Sequence, residues 1–328
     1  MNTHINLDKI KGTPIFKALS RLSVLLILFI ILALTTHNFI KASNLTTILL
    51  QVAVYAVIAY GVTFVLIVGA TDLSAGSVVG LAGIVTALLL RDYNVSPIVA
   101  ILAGLATGLL CGFINGICVT YLKIMPFIAT LGTSWIFRGF CQLLGDGQPV
   151  TIRSNTNPEA AEFLKTLGSG RIGGFPIAAI VFLVLAVVLS ILLTKTVLGR
   201  NVFATGSNEE AARLSGINVR RTTICAFMLC DVMAALGGVL ITARLSSGQI
   251  AAGTGYELEG IAAAVIGGVS LMGGEGSIAG ALIGALIMGM LRNGLNLNGI
   301  NSYWQQIVIG TILIFAVAFD LFQRRKNK

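Results

Sequence analysis

Residues 195–221 read KTVLGRNVFATGSNEEAARLSGINVRR and separate two long apolar runs of the chain. This segment carries five basic residues against two acidic ones. Ser207 followed by Glu210 three positions later is the pattern of a helix-capping box, and Gly216 suits a left-handed helix end. The segment therefore predicts a short capped helix outside the lipid, where something on the water side would have to hold it.

The composition predicts an all-α integral membrane protein. Of the 328 residues, 56% are hydrophobic and only 11% are charged, whereas a soluble domain carries about a quarter charged residues. Apolar runs of about 20 residues recur along the chain, and each is long enough to cross the hydrocarbon layer as a helix. These runs are continuous, which argues against the alternating pattern of a membrane β-barrel.

The distribution of basic residues sets the predicted orientation in the membrane. Thirteen of the 22 Lys and Arg residues lie in residues 9–21, 195–221 and 324–328. Short basic segments stay on the cytoplasmic side, so we place both termini and the 195–221 segment in the cytoplasm. The net charge of +9 follows from this bias and does not indicate a nucleic-acid partner.

Ten membrane spans satisfy this orientation, with six before the 195–221 segment and four after it. We predict one transmembrane domain over residues 19–322, cytoplasmic tails at 1–18 and 323–328, and a periplasmic loop at 145–174. The spans are placed at residues 19–38, 45–69, 73–90, 97–122, 127–144, 175–194, 222–244, 259–272, 277–292 and 303–322. Spans 259–272 and 277–292 are shorter than the ~20 residues that cross lipid, which predicts short or broken helices along a transport pathway.

Glycines at helical spacing predict close contacts between helices. Gly104, Gly108, Gly112 and Gly116 form three linked G-x-x-x-G units, and Gly276, Gly280 and Gly284 repeat the pattern. Small residues let helix backbones approach closely where lipid supplies no hydrophobic force between helices. An internal seam of the bundle and a contact between two copies of the chain both fit this pattern.

The sequence predicts no catalytic, cofactor or metal site, so we expect a transport subunit and not an enzyme. No G-x-x-x-x-G-K-[ST] motif is present, which excludes ATP hydrolysis on a P-loop of this chain. The two histidines, His4 and His37, lie in the tail and at a span end, and the five cysteines all fall in apolar runs. Neither a zinc site nor a nucleophile triad is supported by these positions.

Polar and small residues at membrane depth are the candidates for a translocation path. Asp72 lies in GATDLSAGS (69–77), where the following Leu-Ser-Ala-Gly also suits a cap of the third helix, so a structural role is equally open. Asp231 is the acidic residue placed deepest in a span. The path candidates are Asp72, Gly76, Asn115, Arg138, Glu257 and Gly276.

From about residue 45 to its C-terminus, the chain resembles the permease subunit of a bacterial ABC importer of the ribose-type sugar branch. The resemblance rests on GATDLSAGS (69–77), GSNEEAARLSGI (206–217) and NGLNLNGINSYWQQIVIG (293–310). The resemblance also rests on the long segment that runs from Ala243 to Ser277. The family commonly has G-I-D-L-S-V-G at the first motif, and here Thr71 and Ala75 replace two of its apolar residues.

The resemblance implies a mechanism for residues 206–217. Permeases of this class carry an E-A-A-x-x-x-G loop that docks in a groove of the ATPase, and Glu210, Ala211, Ala212 and Gly216 match this loop. The coupling residues expected from the match are Ser207, Asn208, Glu209, Glu210, Ala211, Ala212, Arg213 and Gly216.

The resemblance also implies the fold and the partners. The fold would be similar to the ten-helix cobalamin importers, in the lipid bilayer of the bacterial inner membrane. The partners would be a second copy of the chain, a nucleotide-binding ATPase that holds ATP and Mg, and a periplasmic sugar-binding protein. This chain itself would bind no cofactor.

Alternative functions stay open at the level of sequence. A branched-chain amino acid permease would have a related architecture and a different binding protein. A proton-coupled carrier would need a relay of buried ionisable groups, and Asp231 alone is convincingly deep. An intramembrane enzyme lacks the residues for its chemistry. The sequence does not name the sugar.

Overall fold

The computed structural model describes residues 14–152 and 157–326 of the chain, which form thirteen helices and four two-residue strands. The first helices are α1 (Pro14–Thr35), α2 (Ala42–Val68), α3 (Ala75–Arg91), α4 (Pro97–Thr120) and α5 (Pro126–Leu144). They are followed by β1 (Val150–Thr151), α6 (Pro158–Ser169), β2 (Arg171–Ile172), β3 (Phe175–Pro176), α7 (Ile177–Lys195), α8 (Val197–Ser207) and α9 (Glu209–Leu214). The last elements are α10 (Val219–Leu245), β4 (Ser247–Gly248), α11 (Tyr256–Ile266), α12 (Ile278–Leu297) and α13 (Ser302–Lys326).

The prediction of an all-α membrane protein is confirmed. A helix overlaps each predicted span, and among the described residues five helices (α2, α4, α7, α10 and α12) are long and apolar enough to cross a membrane. Prolines open α4 and α5 at their first residues, where a missing N–H breaks no hydrogen bond. The number of crossings and the side of the termini stay predictions. Residues 1–13 and 327–328 of the predicted tails lie outside the described residues.

Of the two spans predicted to be short, only the first is. Helix α11 has 11 residues, whereas α12 has 20 and is among the helices that can cross a membrane. The prediction for the second span was wrong because α12 continues beyond Arg292 to Leu297. Between the two helices, the chain turns through Gly268, Gly273 and Gly274, all with positive φ, a backbone conformation that favours glycine.

The core of the bundle lies between α2 and α10. Helix α2 is buried along most of its length from Val52 onward, and α10 packs against α2, α3 and α4. The glycine seam of α4 faces α10: a Cβ on Gly108 would meet the Asp231 carbonyl oxygen, and one on Gly112 would meet that of Phe227. Gly284 of α12 faces the Ala263 carbonyl of α11 in the same way. Both glycine patterns are therefore internal seams within one chain.

The segment predicted as a loop at 145–174 contains secondary structure. Strand β1 pairs antiparallel with β4 in the register Val150↔Gly248. Helix α6 starts with Pro158 at its first position, and the Asn157 side chain accepts a hydrogen bond from the Ala160 N–H at 2.9 Å. Gly168 then packs against the backbone of Ala243 and Arg244, which attaches this segment to the end of α10.

Candidate functional site

Helix α9 occupies the stretch that carries the E-A-A-x-x-x-G pattern, but its cap differs from the predicted one. Ser207 is the last residue of α8, and Asn208 adopts extended backbone before α9. The Asn208 side chain accepts a hydrogen bond from the Ala211 N–H at 2.9 Å. The capping box of Ser207 and Glu210 was therefore wrong, because the helix begins one residue later and Asn is at least as good an N-cap as Ser.

Gly216 ends this helix as predicted. Its φ is +82°, a left-handed conformation that costs a glycine little. The Gly216 N–H donates to the Arg213 carbonyl at 3.1 Å and the Ile217 N–H to the Ala212 carbonyl at 3.0 Å. Two residues later Asn218 caps α10 through the Arg221 N–H at 3.0 Å. The α9 helix is thus fixed at both ends by local hydrogen bonds.

Most of the α9 surface is exposed. Ala212 is 4% exposed and anchors the helix, whereas Glu209, Glu210, Ala211 and Arg213 are exposed. Leu214 is 83% exposed, which is unusual enough for an apolar side chain on a short polar helix to suggest a contact with another molecule. The sequence reasoning missed Leu214, although it lies within the matching motif.

A groove of about 560 Å³ lies beside α9. Its charged lining residues are Lys123, Glu209, Arg213 and Arg220, and the Arg220 guanidinium stacks over the Tyr121 ring at 5.2 Å. Sequence reasoning did not find this groove, because its walls come from residues 119–123 and 209–223, about a hundred positions apart.

The base of the α8–α9 segment contacts the chain that links α11 to α12. The Gly274 N–H donates to the Ile67 carbonyl at 2.8 Å, and Gly206 lies against the same carbonyl with no space for a side chain. Gly276, one of the six path candidates, has Ile67 and Val269 as its nearest neighbours. The structure therefore places Gly276 beside the base of this segment and apart from the other candidates.

Asp72 and Asn115 meet in what we call the inner polar cluster, formed by Asp72, Ser74, Asn115, Thr133 and Asp231. Asp72 Oδ1 accepts hydrogen bonds from the Ser74 N–H and hydroxyl at 2.8 and 2.7 Å. Asn115 Nδ2 donates to Ser74 Oγ at 2.7 Å and to Asp231 Oδ2 at 2.9 Å. Thr133 Oγ1 donates to Asn115 Oδ1 at 2.6 Å. These side chains tie α3, α4, α5 and α10 together.

The inner polar cluster is buried. Asp72, Ser74, Asn115 and Asp231 are all 0% exposed, so the two predicted path residues in it are enclosed by the chain itself. Asp72 serves the start of α3 through Ser74, which agrees with the structural role that the sequence left open. Sequence reasoning identified each member except Ser74 and Thr133 as notable, but not their contact.

Three other path candidates, Gly76, Arg138 and Glu257, lie together. Arg138 donates to the carbonyls of Ile250 and Ala252 at 2.6 and 2.9 Å, and to the Gly76 carbonyl at 3.1 Å. A Cβ on Gly76 would collide with Glu257 Oε2 and with the backbone carbonyl oxygen of Gly253, so only glycine fits there. The Arg138 guanidinium therefore fixes the irregular 249–255 segment against α3 and α5.

A cavity of about 490 Å³ opens beside Arg138. Its polar lining side chains are Arg138, Gln142, Gln249 and Thr254. Amides, a hydroxyl and a guanidinium can donate and accept hydrogen bonds, the chemistry that recognises a polyhydroxylated or similarly polar solute. Gln249 and Thr254 were not candidates from sequence, because the 249–255 segment is irregular and carries no pattern.

A second buried polar group lies further along α11. Arg292 Nη2 pairs with Glu259 Oε1 at 2.7 Å and Arg292 Nη1 donates to the Tyr55 hydroxyl at 2.5 Å. This pair joins α2, α11 and α12. Neither Arg292 nor Tyr55 was singled out in the sequence, because each is a lone polar residue in an apolar helix.

Comparison with known proteins identifies the family. The model described as "Branched-chain amino acid transport system / permease component" matches residues 44–317. The chain is 42% identical to the ribose import permease protein of Bacillus subtilis (strain 168) over 90% of each chain. It is 38% identical to the galactose/methyl galactoside import permease protein of Haemophilus influenzae over 98% of this chain and 99% of that one. The D-allose transport system permease protein of Escherichia coli (strain K12) is also 38% identical, over 88% of this chain and 86% of that one.

These relatives confirm the resemblance to sugar permeases that the motifs indicated. No solved structure matched the chain. With its apolar helices, the chain is a multi-pass protein of the bacterial inner membrane. It belongs to the family of permease components that the matching model describes, over nearly its whole length.

Proposed function

We propose that this chain is the membrane-spanning permease subunit of an ABC importer for a monosaccharide, ribose or a related pentose or hexose. The observation that carries the proposal is α9, an exposed helix with the E-A-A-x-x-x-G pattern that local hydrogen bonds fix at both ends. The similarity to ribose, galactose and allose permeases over most of the chain supports the sugar class.

The proposed topology has ten crossings, with the cobalamin-importer arrangement and both termini in the cytoplasm. Residues 195–221 then face the cytoplasm and residues 145–174 the periplasm. The basic residues of α9 and its groove, together with the basic C-terminal residues, support this orientation.

The proposed partners are two copies of this chain, a cytoplasmic ATPase and a periplasmic sugar-binding protein. ATP and Mg would bind to the ATPase, so this chain would not itself be an enzyme. Helix α5 is a suitable surface for the second copy, because Trp135 is 76% exposed and Gly132 and Gly139 have open space beside them. Exposed apolar residues with small residues between them are typical of helix contacts in membranes.

Helix α9 would transmit the closure of the ATPase dimer. It is connected directly to α10, which reaches the inner polar cluster, and the end of α8 just before it contacts Ile67 and Gly274 next to α12. A push on α9 can therefore favour one of two arrangements of α10 and α12, as coupling between two sites requires. The solute would pass the cavity of Arg138, Gln142, Gln249 and Thr254, for which Asp72, Gly76 and Asn115 provide the fixed frame.

The coupling is tested by Glu210→Lys combined with Gly216→Val in the reconstituted complex with its ATPase and binding protein. We expect the double variant to fold in the membrane and to lose both stimulated ATPase activity and uptake. Glu162→Lys is a matched charge reversal, since Glu162 is exposed on α6 within the 145–174 segment, and it should leave both activities intact. Wild-type coupling in the double variant would refute the role of α9.

A branched-chain amino acid permease is the second candidate, because the matching family model carries that description. A thermal-shift screen of the binding protein with pentoses, hexoses and branched-chain amino acids separates the two. Uptake that is insensitive to vanadate and collapses with the proton gradient would instead indicate a proton-coupled carrier.

A further inference from the structure

Two oxygens of the inner polar cluster lack the hydrogen bonds that buried oxygens need. The first carboxyl oxygens, Asp72 Oδ1 and Asp231 Oδ2, accept bonds from Ser74 and Asn115. The second ones, Asp72 Oδ2 and Asp231 Oδ1, are fully buried and have no N–H or O–H partner among the residues that the structure describes. The Cys230 thiol, a weak donor, approaches Asp72. A buried acceptor without a partner is costly, so these oxygens require an explanation.

The carboxyl groups of Asp72 and Asp231 lie next to each other in the cluster. One carboxyl oxygen of Asp72, one of Asp231 and the Cys230 Sγ all lie within 4.8 Å of one another. Two ionised carboxylates at that separation, away from water, would repel each other strongly. A single proton between Asp72 Oδ2 and Asp231 Oδ1 removes the repulsion and gives both oxygens a partner.

No cation among the described residues neutralises the pair directly. Helix α4 presents Cys111 and Asn115, α10 presents Cys230, α5 presents the Thr133 hydroxyl, and α2 packs Gly61 against Cys230. The next charged group outward is Glu257, which interacts electrostatically with Asp72 and with Arg138. Sodium or another hard ion prefers several oxygen ligands, whereas this site places the Cys230 thiol beside the two carboxyl groups.

We propose that Asp72 and Asp231 form a proton-binding site, an acid–carboxylate pair that holds one shared proton at neutral pH. The pair connects the residues just before α3 to α10. Helix α10 starts directly after the α9 segment. Loss of the proton at alkaline pH leaves two adjacent negative charges and pushes α10 away from α3. This contribution to stability is fully present below the titration range of aspartate in the unfolded chain and is lost as the pH rises through the titration of the pair. This inference does not depend on the transported solute.

The test is infrared spectroscopy of the purified full-length protein in lipid. The wild type should show the C=O absorption of a protonated carboxyl group, and aspartate labelled with ¹³C at its side-chain carboxyl should shift that band. Asp92 is exposed and paired with Arg91 and should be ionised at neutral pH. Asp231→Asn and Asp72→Asn each replace the shared proton by an amide N–H, so both should fold and lose the band. Glu257→Gln is the control that should keep it.

The thermal midpoint supplies a second readout. It should fall with alkaline pH in the wild type and become insensitive to that change in either Asn variant. Absence of a label-sensitive band in the wild type, or its survival in both Asn variants, overturns the proposal. Stabilisation by Na⁺ over choline that the Asn variants lose would also overturn it, in favour of a metal ion. If both variants fail to fold, the labelled wild-type spectrum decides alone.

Discussion

The inner polar cluster and the α9 segment are both polar, and they are built in opposite ways. The cluster takes side chains from four elements, and its four central members are 0% exposed. The α9 segment lies within consecutive residues and is mostly exposed, with caps that come from Asn208 and Gly216 beside it. Polar groups in lipid-enclosed protein depend on each other for every hydrogen bond, whereas those of α9 can use water.

This difference indicates which substitutions will affect the stability of the fold and which will affect only the contact with a partner. A substitution in the cluster leaves a buried charge or amide without a partner, and no solvent replaces the lost bond. A substitution on the α9 surface exposes the same group to water in the folded and unfolded chain. Stability should therefore respond to the cluster, and coupling to α9.

The largest effect is expected for Asn115→Leu. Asp231 Oδ2 then loses the Asn115 amide as its donor, and Thr133 loses its acceptor on Asn115. An unpaired buried carboxyl should cost about 3 kcal/mol or more, seen as a large fall in the thermal midpoint in detergent. Asn208→Leu is the matched control on α9 and should cost far less. An equal fall in the thermal midpoint for the two variants would contradict the difference proposed between the cluster and α9.

Gly112→Ala should follow, because it tests whether the cluster depends on the close approach of α4 to α10. The added Cβ would meet the Phe227 carbonyl and the Met228 Cα. Overpacking of this kind costs about 1–3 kcal/mol. Gly310→Ala adds the same methyl group where nothing lies within 4 Å and should leave the thermal midpoint unchanged. A neutral Gly112→Ala would show that the seam has room that the structure does not indicate.

Asn208→Ala tests the exposed α9 segment in the same way. The Ala211 N–H loses its acceptor, which should destabilise α9 by about 1 kcal/mol. Hydrogen exchange at Ala211 should accelerate while the thermal midpoint of the whole chain stays the same. Ser207→Ala should leave this exchange rate unchanged, since Ser207 lies in α8; the reverse result would restore the capping box of the sequence prediction.

The smallest effect is expected for Arg91→Ala, a charge removed from a site in contact with water. Arg91 pairs with Asp92 at 2.6 Å, and both side chains are more than a third exposed. The side-chain hydrogen bond from Arg91 lowers the pKa of Asp92, so the pair stabilises above the ordinary aspartate range and is lost as the pH falls. The variant should change the unfolding free energy by less than about 1 kcal/mol at neutral pH, measured by thermal unfolding at low and neutral pH.

The positions of most helices could be predicted from the sequence, because lipid forces long apolar runs into helices and Pro97 and Pro126 mark where two of them start. Helix α6 was missed because it is amphipathic and short, although Asn157, Pro158 and Glu159 form a recognisable helix start. The extension of α12 to Leu297 was missed because Arg292 looked like the end of the apolar run, whereas it is paired with Glu259 inside the protein.

The six path candidates were chosen by residue type and depth alone. The structure joins Asp72 to Asn115 and Gly76 to Arg138 and Glu257, and it leaves Gly276 with Ile67. Contacts of this kind link residues such as Asn115 and Asp231 across more than a hundred positions. A hydrophobicity pattern carries no information about such pairs, because it repeats within each helix and not between helices.

The membrane class, the family and the α9 motif follow from the amino-acid sequence alone, because each depends on residues that are neighbours along the chain. Hydrophobic runs, basic clusters and helix caps act over at most a few turns of helix. The internal position of the glycine seams and the proximity of Asp72 to Asp231 are visible only in the folded chain. These features depend on how helices pack in three dimensions. The partner of a hydrogen bond, or the backbone that packs against a glycine, then belongs to a residue far away in sequence.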